Sequence, residues 1–511
     1  MVSLLLALTG LADSAYLTWE HFNPSPIPCS DLPFTNCGAV LSSDYAMVFG
    51  IVPLAVLGVL YYATFAVSAL VYLIRPRIVL LRWLFLLSSA GFLASLWFVF
   101  LQLVVIKAIC IYCMISAVTS CAQFLWLRIT RFHEYRLTII FVLGFTYRHL
   151  VKRIFFLIDP EYIHHVLTGF GELLGAIRPV KAVLRIILGT RYPVLEQVVA
   201  GITFHSPVGL AAGFDYEAKL TQTLEPLGFG FQTVGTITNQ PCEGNPRPRL
   251  GRLPMSRSLL VNKGFRNPGA KAIIRKLRKQ SFPIPLGVSI GTTNSSSITT
   301  LEEAVDDIIS AFQLFEASKV QHAYYELNIS CPNLQVGVSF YDTGHLDTLL
   351  TALDKLKLKK PVFVKMPIEL DDAPFIALLD VIVTHSPAGV IIGNLLKNRK
   401  DKALRREEVR KCGKGNFSGK PTESRSNELI QLSYTHTGGN MIIIGCGGIF
   451  SADDAYRKIT LGASLVQLIS GMIFQGPQLV SEINAGLVER LRKDGYIYIS
   501  EAVGTRATKK K

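Results

Sequence analysis

Over the first 130 residues apolar positions follow one another almost without a break, whereas beyond about residue 205 they come in short bursts that end on small or polar residues. The first part holds three long apolar runs, about 47–74, 78–106 and 108–127, and a shorter one, about 3–19. Each long run can cross a hydrocarbon core of about 30 Å at about 1.5 Å per helical residue. The shorter run is interrupted by Asp13 and begins almost at Met1. No small-residue cleavage site follows a charged start, so it reads as a first span rather than a leader. The pattern predicts a four-helix transmembrane bundle over residues 1–130.

From residue 206 the rhythm changes. PVGLAAG (207–213), FQTVGT (231–236), LGVSIG (286–291), YYELNIS (324–330), PVFVKM (361–366), GVIIGN (389–394), MIIIGCGG (441–448) and SLVQLISG (464–471) alternate with helical stretches. Eight β-branched runs separated by helices predict a parallel closed (β/α)8 barrel, a TIM barrel, over 206–490, followed by a basic tail over 491–511. Residues 131–205 lie between. LTIIFVLGF (137–145) is too short to span, and KRIFFLIDPEYIHHVLTGFGELL (152–174) has helical spacing with basic flanks. Such helices lie in an interface or cap a core. The fold class is an α-helical membrane bundle followed by an α/β barrel with an N-terminal helical extension.

Composition sharpens this division. The 511 residues are 50% hydrophobic and carry a net charge of +15, with a mean hydropathy of +0.36. That average mixes a lipid-facing part with an ordinary globular part. No nucleic-acid-reading motif accompanies the positive charge, which fits the flanks of membrane spans and an anionic surface better. Arg75, Arg77 and Arg82 separate the second and third spans, and Arg128, Arg131 and Arg136 follow the fourth. The positive-inside rule then makes both clusters cytoplasmic. The expected location is a multi-pass inner (cytoplasmic) membrane protein with its barrel in the cytoplasm. Loop 21–46 and the link near Lys107 fall on the outer face.

Both cysteine pairs, Cys29 with Cys37 and Cys110 with Cys113, fall on that outer side, where disulfides persist. Cys121 follows in the same apolar segment, and Cys242, Cys331, Cys412 and Cys446 are scattered. These spacings suit neither a secreted disulfide framework nor zinc, and no metal is expected. CIYC (110–113) opens a helix, and a helix N-terminus favours a thiolate able to exchange disulfides.

With the loop PCSDLPFTNCGAVLSSDYA (28–46), four spans and CIYC, residues 1–130 resemble the bacterial branch of the vitamin K epoxide reductase family. The resemblance implies that Cys110 and Cys113 form the redox centre beside a quinone. Cys29 and Cys37 would relay electrons from a thioredoxin-like thiol protein at the outer face. Ser42 or Ser43 falls in the family's loop serine region. No thioredoxin-like domain follows the bundle here, so the partner is expected to be a separate protein.

In the barrel, GCGGIF (445–450) and SGMIFQGP (470–477) follow the seventh and eighth strands, where such barrels bind phosphate through backbone N–H groups. Lys365 ends the fifth strand, and an inward ammonium needs an anionic partner, such as a reduced flavin. ELNISCPN (326–333) sets Cys331 between Asn328 and Asn333. Amides that donate and accept suit a flat imide, and a thiol among them can act as a base.

SPVGLAAGFD, VGTIT, GNPRPRLGRL, NKGFRNPGA, NISCPN, FVKM, IIGN, GNFSGKP, IIGCGGI and GASLVQLISG, in that order over roughly 150–490, resemble dihydroorotate dehydrogenase. The resemblance implies FMN held by Ala212, Gly213, Thr236, Asn328, Lys365, Gly419, Gly447, Gly448, Ser470 and Gly471. It implies dihydroorotate contacted by Asn262, Phe265, Asn328, Asn333 and Asn394. Hydride would pass from C6 to flavin N5 while Cys331 takes the C5 proton and Lys365 stabilises the reduced flavin.

The sequence also departs from the family. A cysteine base is typical of the soluble classes, whereas membrane-bound, quinone-using members usually have serine. Residue 216, often lysine, is tyrosine. Ser289 stands where asparagine is usual, Leu395 where threonine is usual, and Ile469 where tyrosine often precedes the serine. NKGFRN is one residue short. The helices at 148–170 resemble the extension of quinone-using members and favour quinone as acceptor. A tRNA-dihydrouridine synthase would need a substantial RNA-binding domain after the barrel, where about forty residues remain. A non-catalytic membrane scaffold would have no use for four outer cysteines together with Cys331 and Lys365.

Overall fold

A computed structural model describes residues 1–23, 35–48, 50–332, 338–385 and 387–507. The chain divides into two compact units, Met1–Val142 and Leu143–Lys511.

The first unit holds helices α1 (Val2–Phe22), α2 (Leu54–Ile74), α3 (Ile78–Phe100) and α4 (Ile111–Thr130). α3 continues through a wider π turn, Leu101–Ile106. All four are long and apolar enough to cross a membrane. Their interior is narrow. Ala7, Phe65, Leu84 and Phe85 pack together, while Leu93 (63% exposed) and Ile129 (76%) face outward. Small residues let the helices approach, as Gly10 meets the Tyr62 ring and Gly91 the Tyr61 ring with no room for a Cβ.

Of the three arginines that follow the fourth span, Arg128, Arg131 and Arg136, two are buried. Arg128 is 8% exposed; its guanidinium donates to Ser88 Oγ at 3.1 Å and Ser89 Oγ at 2.6 Å and lies over the Phe124 ring. Arg136 is 3% exposed. A guanidinium with neutral hydrogen-bond and π partners can replace part of its hydration inside a bundle.

In the second unit, α5 (Pro160–Ala176) begins at Asp159, whose carboxylate accepts from Tyr162 N, with proline at the first helical position. α6 (Arg178–Ile187) follows. The extension is fastened to the barrel by polar contacts. Arg185 pairs with the buried Glu225 at 2.7 Å, and Thr223 Oγ1 donates to Gly171 O at 2.6 Å. Both helices nevertheless turn apolar side chains outward, among them Phe170, Leu173, Val183 and Ile186.

The barrel strands are β1 (Val208–Leu210), β2 (Phe231–Ile237), β3 (Leu286–Ile290), β4 (Tyr324–Asn328), β5 (Val362–Met366), β6 (Gly389–Ile392), β7 (Ile442–Cys446) and β8 (Leu465–Leu468). They close in the order β4-β5-β6-β7-β8-β1-β2-β3, every pair parallel. Covered on both faces, they are buried nearly throughout rather than alternating. A three-stranded antiparallel sheet, Leu250–Leu253, Ser258–Val261 and Asn416–Gly419, stands beside the barrel's C-terminal end.

Candidate active sites

The strand ends of the barrel bring most of the expected residues to one place. Ala212, Gly213, Thr236, Asn328, Lys365 and Ser470 line a cavity together with Phe265, Cys331 and Asn394. An adjoining recess shares Ala212, Lys365, Asn394 and Ser470 and adds Gly419, Gly447, Gly448 and Gly471. Asn262 does not line it. Its side-chain oxygen accepts from Asn245 Nδ2 at 2.9 Å, one residue beyond the strand Ser258–Val261. Asn333 lies outside the described residues.

The recess owes its shape to glycine. Gly447 has φ +101° and Gly448 φ +73°, backbone that side chains rarely adopt. A Cβ on Gly447 would sit 2.6 Å from Thr422 Oγ1, and one on Gly448 2.7 Å from Glu423 Cα. The backbone after β7 is thus left bare toward the recess, opposite Ser470, whose Oγ lies 2.8 Å from Ser418 Oγ.

Across the cavity runs a set of amides and hydroxyls from four strand ends. Asn394 Nδ2 donates to Ser330 Oγ at 2.6 Å, and Ser330 Oγ donates to Asn328 Oδ1 at 3.2 Å. Asn328 Nδ2 donates to Thr236 Oγ1 at 2.7 Å, which lies 3.0 Å from Ser289 Oγ. Ser330 is thus a member that the sequence reading passed over, and Ser289 holds the place noted there as a departure.

Lys365 is 5% exposed, and among the described residues its ammonium has no hydrogen-bond or ion-pair partner within the protein. Directly alongside, Asn328 pairs with Lys365 in the β4–β5 register. Below them Glu326 is fully buried. It accepts from Thr233 Oγ1 at 2.6 Å and Gln467 Nε2 at 2.7 Å, and its second oxygen has no partner.

At the cavity's other end stand residues the sequence reading did not assign to the site: His164 from α5, Tyr216 and Lys263. His164 Nε2 lies 2.9 Å from Phe214 O, and its ring stacks on Tyr216 with centroids 5.4 Å apart. Burial holds this imidazole neutral, at a pKa of about 3. Helical spacing marked α5 as apolar, and nothing in that signal shows that one of its histidines turns toward the barrel.

The bundle has a site of its own. Cys110 caps the N-terminus of α4, its sulfur accepting from Cys113 N at 3.4 Å, while its own N–H donates to Gln102 Oε1 at 2.9 Å. Cys110 packs fully buried in one cluster with Cys37, Leu17 and Val40. A bridge between Thr35 and Ile109 straps the loop to the link before α4, Asn36 N donating to Ile109 O at 3.0 Å. Cys37 is disulfide-bonded, and Cys29 lies outside the described residues. Cys113, Ser43, Tyr62 and Ser116 line a mainly apolar cavity between the helices. Among the described residues no cluster could hold a metal ion.

Comparison with known proteins agrees on both regions. Residues 194–491 match the family model for dihydroorotate dehydrogenase, and residues 1–127 that for the vitamin K epoxide reductase family. Dihydroorotate dehydrogenase (quinone) of Trichodesmium erythraeum is 37% identical over 68% of this chain and 94% of its own length. The enzyme of that name from Mycobacterium sp. (strain KMS) is 37% identical over 70% of this chain and 98% of its own. The ligand-free structure of the Eimeria tenella enzyme superposes with a TM-score of 0.61 at 29% identity, covering 68% of this chain and 99% of that one. On these matches the chain belongs to the dihydroorotate dehydrogenase family and carries, ahead of that domain, a region of the vitamin K epoxide reductase family.

Proposed function

We propose that the barrel oxidises dihydroorotate to orotate using FMN and membrane quinone. The bundle, on the same reading, is a second, quinone-linked thiol–disulfide oxidoreductase. The observation that carries the barrel reading is the meeting, in one cleft, of a bare glycine cradle, an ammonium with no protein partner among the described residues and a cysteine among amides. The cradle fits a phosphate, which backbone N–H groups at strand and helix ends bind well. Gly419, Gly447, Gly448, Ser470 and Gly471 would hold that end of FMN; Ala212, Gly213, Thr236, Asn328 and Lys365 would hold the rest. Bound there, FMN supplies the two-electron acceptor for the oxidation.

The chain's own residues do the remainder. Cys331 removes the proton from C5 of the substrate as general base. Asn328 and Asn394, whose amides are oriented by Ser330, hold the edge of the ureide, with Phe265 and Asn333 completing the contacts. Lys365 keeps a positive charge where negative charge accumulates. Leu259, Val261 and Ile469 wall the cavity with apolar surface and exclude water. Quinone as acceptor is supported by the relatives, whose names specify it, and by the outward apolar faces of α5 and α6.

In the bundle, Cys29 and Cys37 take electrons from a thioredoxin-like thiol protein at the outer face and pass them to Cys110 and Cys113. Cys113, at the cavity wall, delivers them to quinone. The chain sits in the cytoplasmic membrane with its barrel on the cytoplasmic side, so two unlike donors feed one quinone pool.

The flavin spectrum of the purified full-length chain tests this. Dihydroorotate should bleach it and a soluble quinone restore it. A preparation without flavin sinks the barrel assignment, and faster reoxidation by NAD or fumarate than by quinone sinks the acceptor assignment.

A further inference from the structure

The substrate named above is a cyclic ureide that also bears a carboxylate. The contacts carried over for it, Asn262, Phe265, Asn328, Asn333 and Asn394, include no cation. Residue 216, where a lysine is common in the family, is Tyr216 here. The cavity nevertheless contains a second ammonium. Lys263 Nζ lies 4.1 Å over the Tyr216 ring and donates to its hydroxyl at 2.9 Å.

Its surroundings leave that charge without a counter-ion. The two carboxylates nearest it are engaged elsewhere. Glu161 pairs with Arg249 at 3.3 Å and Arg247 at 3.6 Å, and Glu217 with Lys219 at 2.5 Å and Arg266 at 3.9 Å. Among the described residues no carboxylate lies within ion-pair distance of Lys263. Arg266 itself donates to Tyr216 Oη at 3.4 Å, so two cations share one neutral acceptor. Tyr216 is fixed from the other side by the His164 ring of α5. A half-buried ammonium held by a phenol and a π face, and opening on a cavity with Cys331 and Asn328, is short of one anion.

We propose that Lys263, presented by Tyr216, binds the carboxylate of dihydroorotate and selects it over uncharged dihydropyrimidines. The inference rests on the dihydroorotate reading of the barrel. A lysine two residues past the strand Ser258–Val261, in the NKGFRN turn, thus supplies a cation to the cavity where residue 216 is a tyrosine.

Protonation gives a second handle. Burial, with Arg266 and Arg249 nearby, lowers the Lys263 pKa to about 8, while Glu161 and Glu217 oppose the shift; His164 faces the group as a neutral ring. The carboxylate needs the protonated amine, so its affinity is full below pH 8 and declines as pH rises through that value.

The test uses full-length flavin-loaded protein and two substrates, dihydroorotate and dihydrouracil. Lys263→Met should raise KM for dihydroorotate roughly 100-fold, the scale of a lost charge-assisted contact, with kcat changed little and dihydrouracil turnover unaltered. Lys263→Arg should recover part of the loss. Equal losses on both substrates, or none on either, would overturn the proposal. If Lys263→Met retains no flavin, the wild-type protein decides by titration of orotate against uracil. The ratio of their affinities should fall about tenfold per pH unit above pH 8, and a flat ratio to pH 9.5 overturns the proposal equally. Absence of any bleaching by dihydroorotate in wild type would instead remove the parent reading.

Discussion

The bundle and the barrel use the same residues in opposite senses. Leucine, valine and phenylalanine of the barrel converge inward, Val288, Leu327 and Val364 being fully buried, whereas those of α1–α4 mostly point away from their neighbours. In water an apolar side chain gains by leaving the solvent, and in a bilayer there is no such gain between helices. The bundle is accordingly held by close approach at Gly10 and Gly91 and by polar bonds such as Tyr62 Oη to Ser116 O at 2.7 Å. The two sites differ in the same way. One collects side chains from six or more strand ends, while the other is a helix cap with a strap across it.

If the regions are separate redox devices, single substitutions should divide their activities. Cys331→Ala should slow dihydroorotate-driven flavin reduction by about 10²–10⁴, the usual contribution of a positioned base, and leave thiol-driven quinone reduction intact. Cys110→Ser should abolish the second and spare the first. Stopped-flow absorbance and a quinone assay with dithiol read the two; loss of both activities in either variant would show a single coupled device.

A smaller effect sharpens the barrel half alone. Gly448→Val forces a β-branched side chain into φ +73° against Glu423, a cost of about 1–3 kcal/mol where the structure holds the strain. Flavin per chain should fall, with the thiol activity unchanged. Full flavin occupancy in this variant would contradict the cradle.

The smallest expected change concerns stability. Thr300 and Glu303 form a capping box on the helix Leu301–Glu316 behind the barrel. Thr300→Ala should cost about 1 kcal/mol, read as a lower urea midpoint of flavin release, with the helical signal of the bundle unaffected.

The two architectures were legible because each rests on long, repetitive signals. Twenty apolar residues in a row have few alternatives, and IIIGC or FVKM bounded by glycine or proline reads as a buried strand. The antiparallel sheet was not legible, since Ser258–Val261 pairs with Asn416–Gly419 over 150 residues away and neither alternates clearly. The site followed the same division. Lys365 and Asn328 end recognisable strands, but Ser330 sits in an irregular segment, and His164 reaches the cavity from a helix whose period marks only its apolar face. That Arg128 is buried was not legible, because composition records a cation without recording the serines that accept from it.

The bonds that link Asn394, Ser330, Asn328 and Thr236 all run one way. Each group gives a hydrogen to the next, so their dipoles align head to tail and reinforce one another. Turning over Asn394 would set its NH2 against Leu395 N–H and its oxygen against Ser330 O, and turning over Asn328 would set its NH2 against Ser330 N–H. The row therefore has a fixed polarity before anything binds, and Asn328 keeps one amide hydrogen uncommitted. A visitor that matches it must arrive with an oxygen facing that hydrogen, which makes the strand ends a template for carbonyl groups rather than a neutral floor.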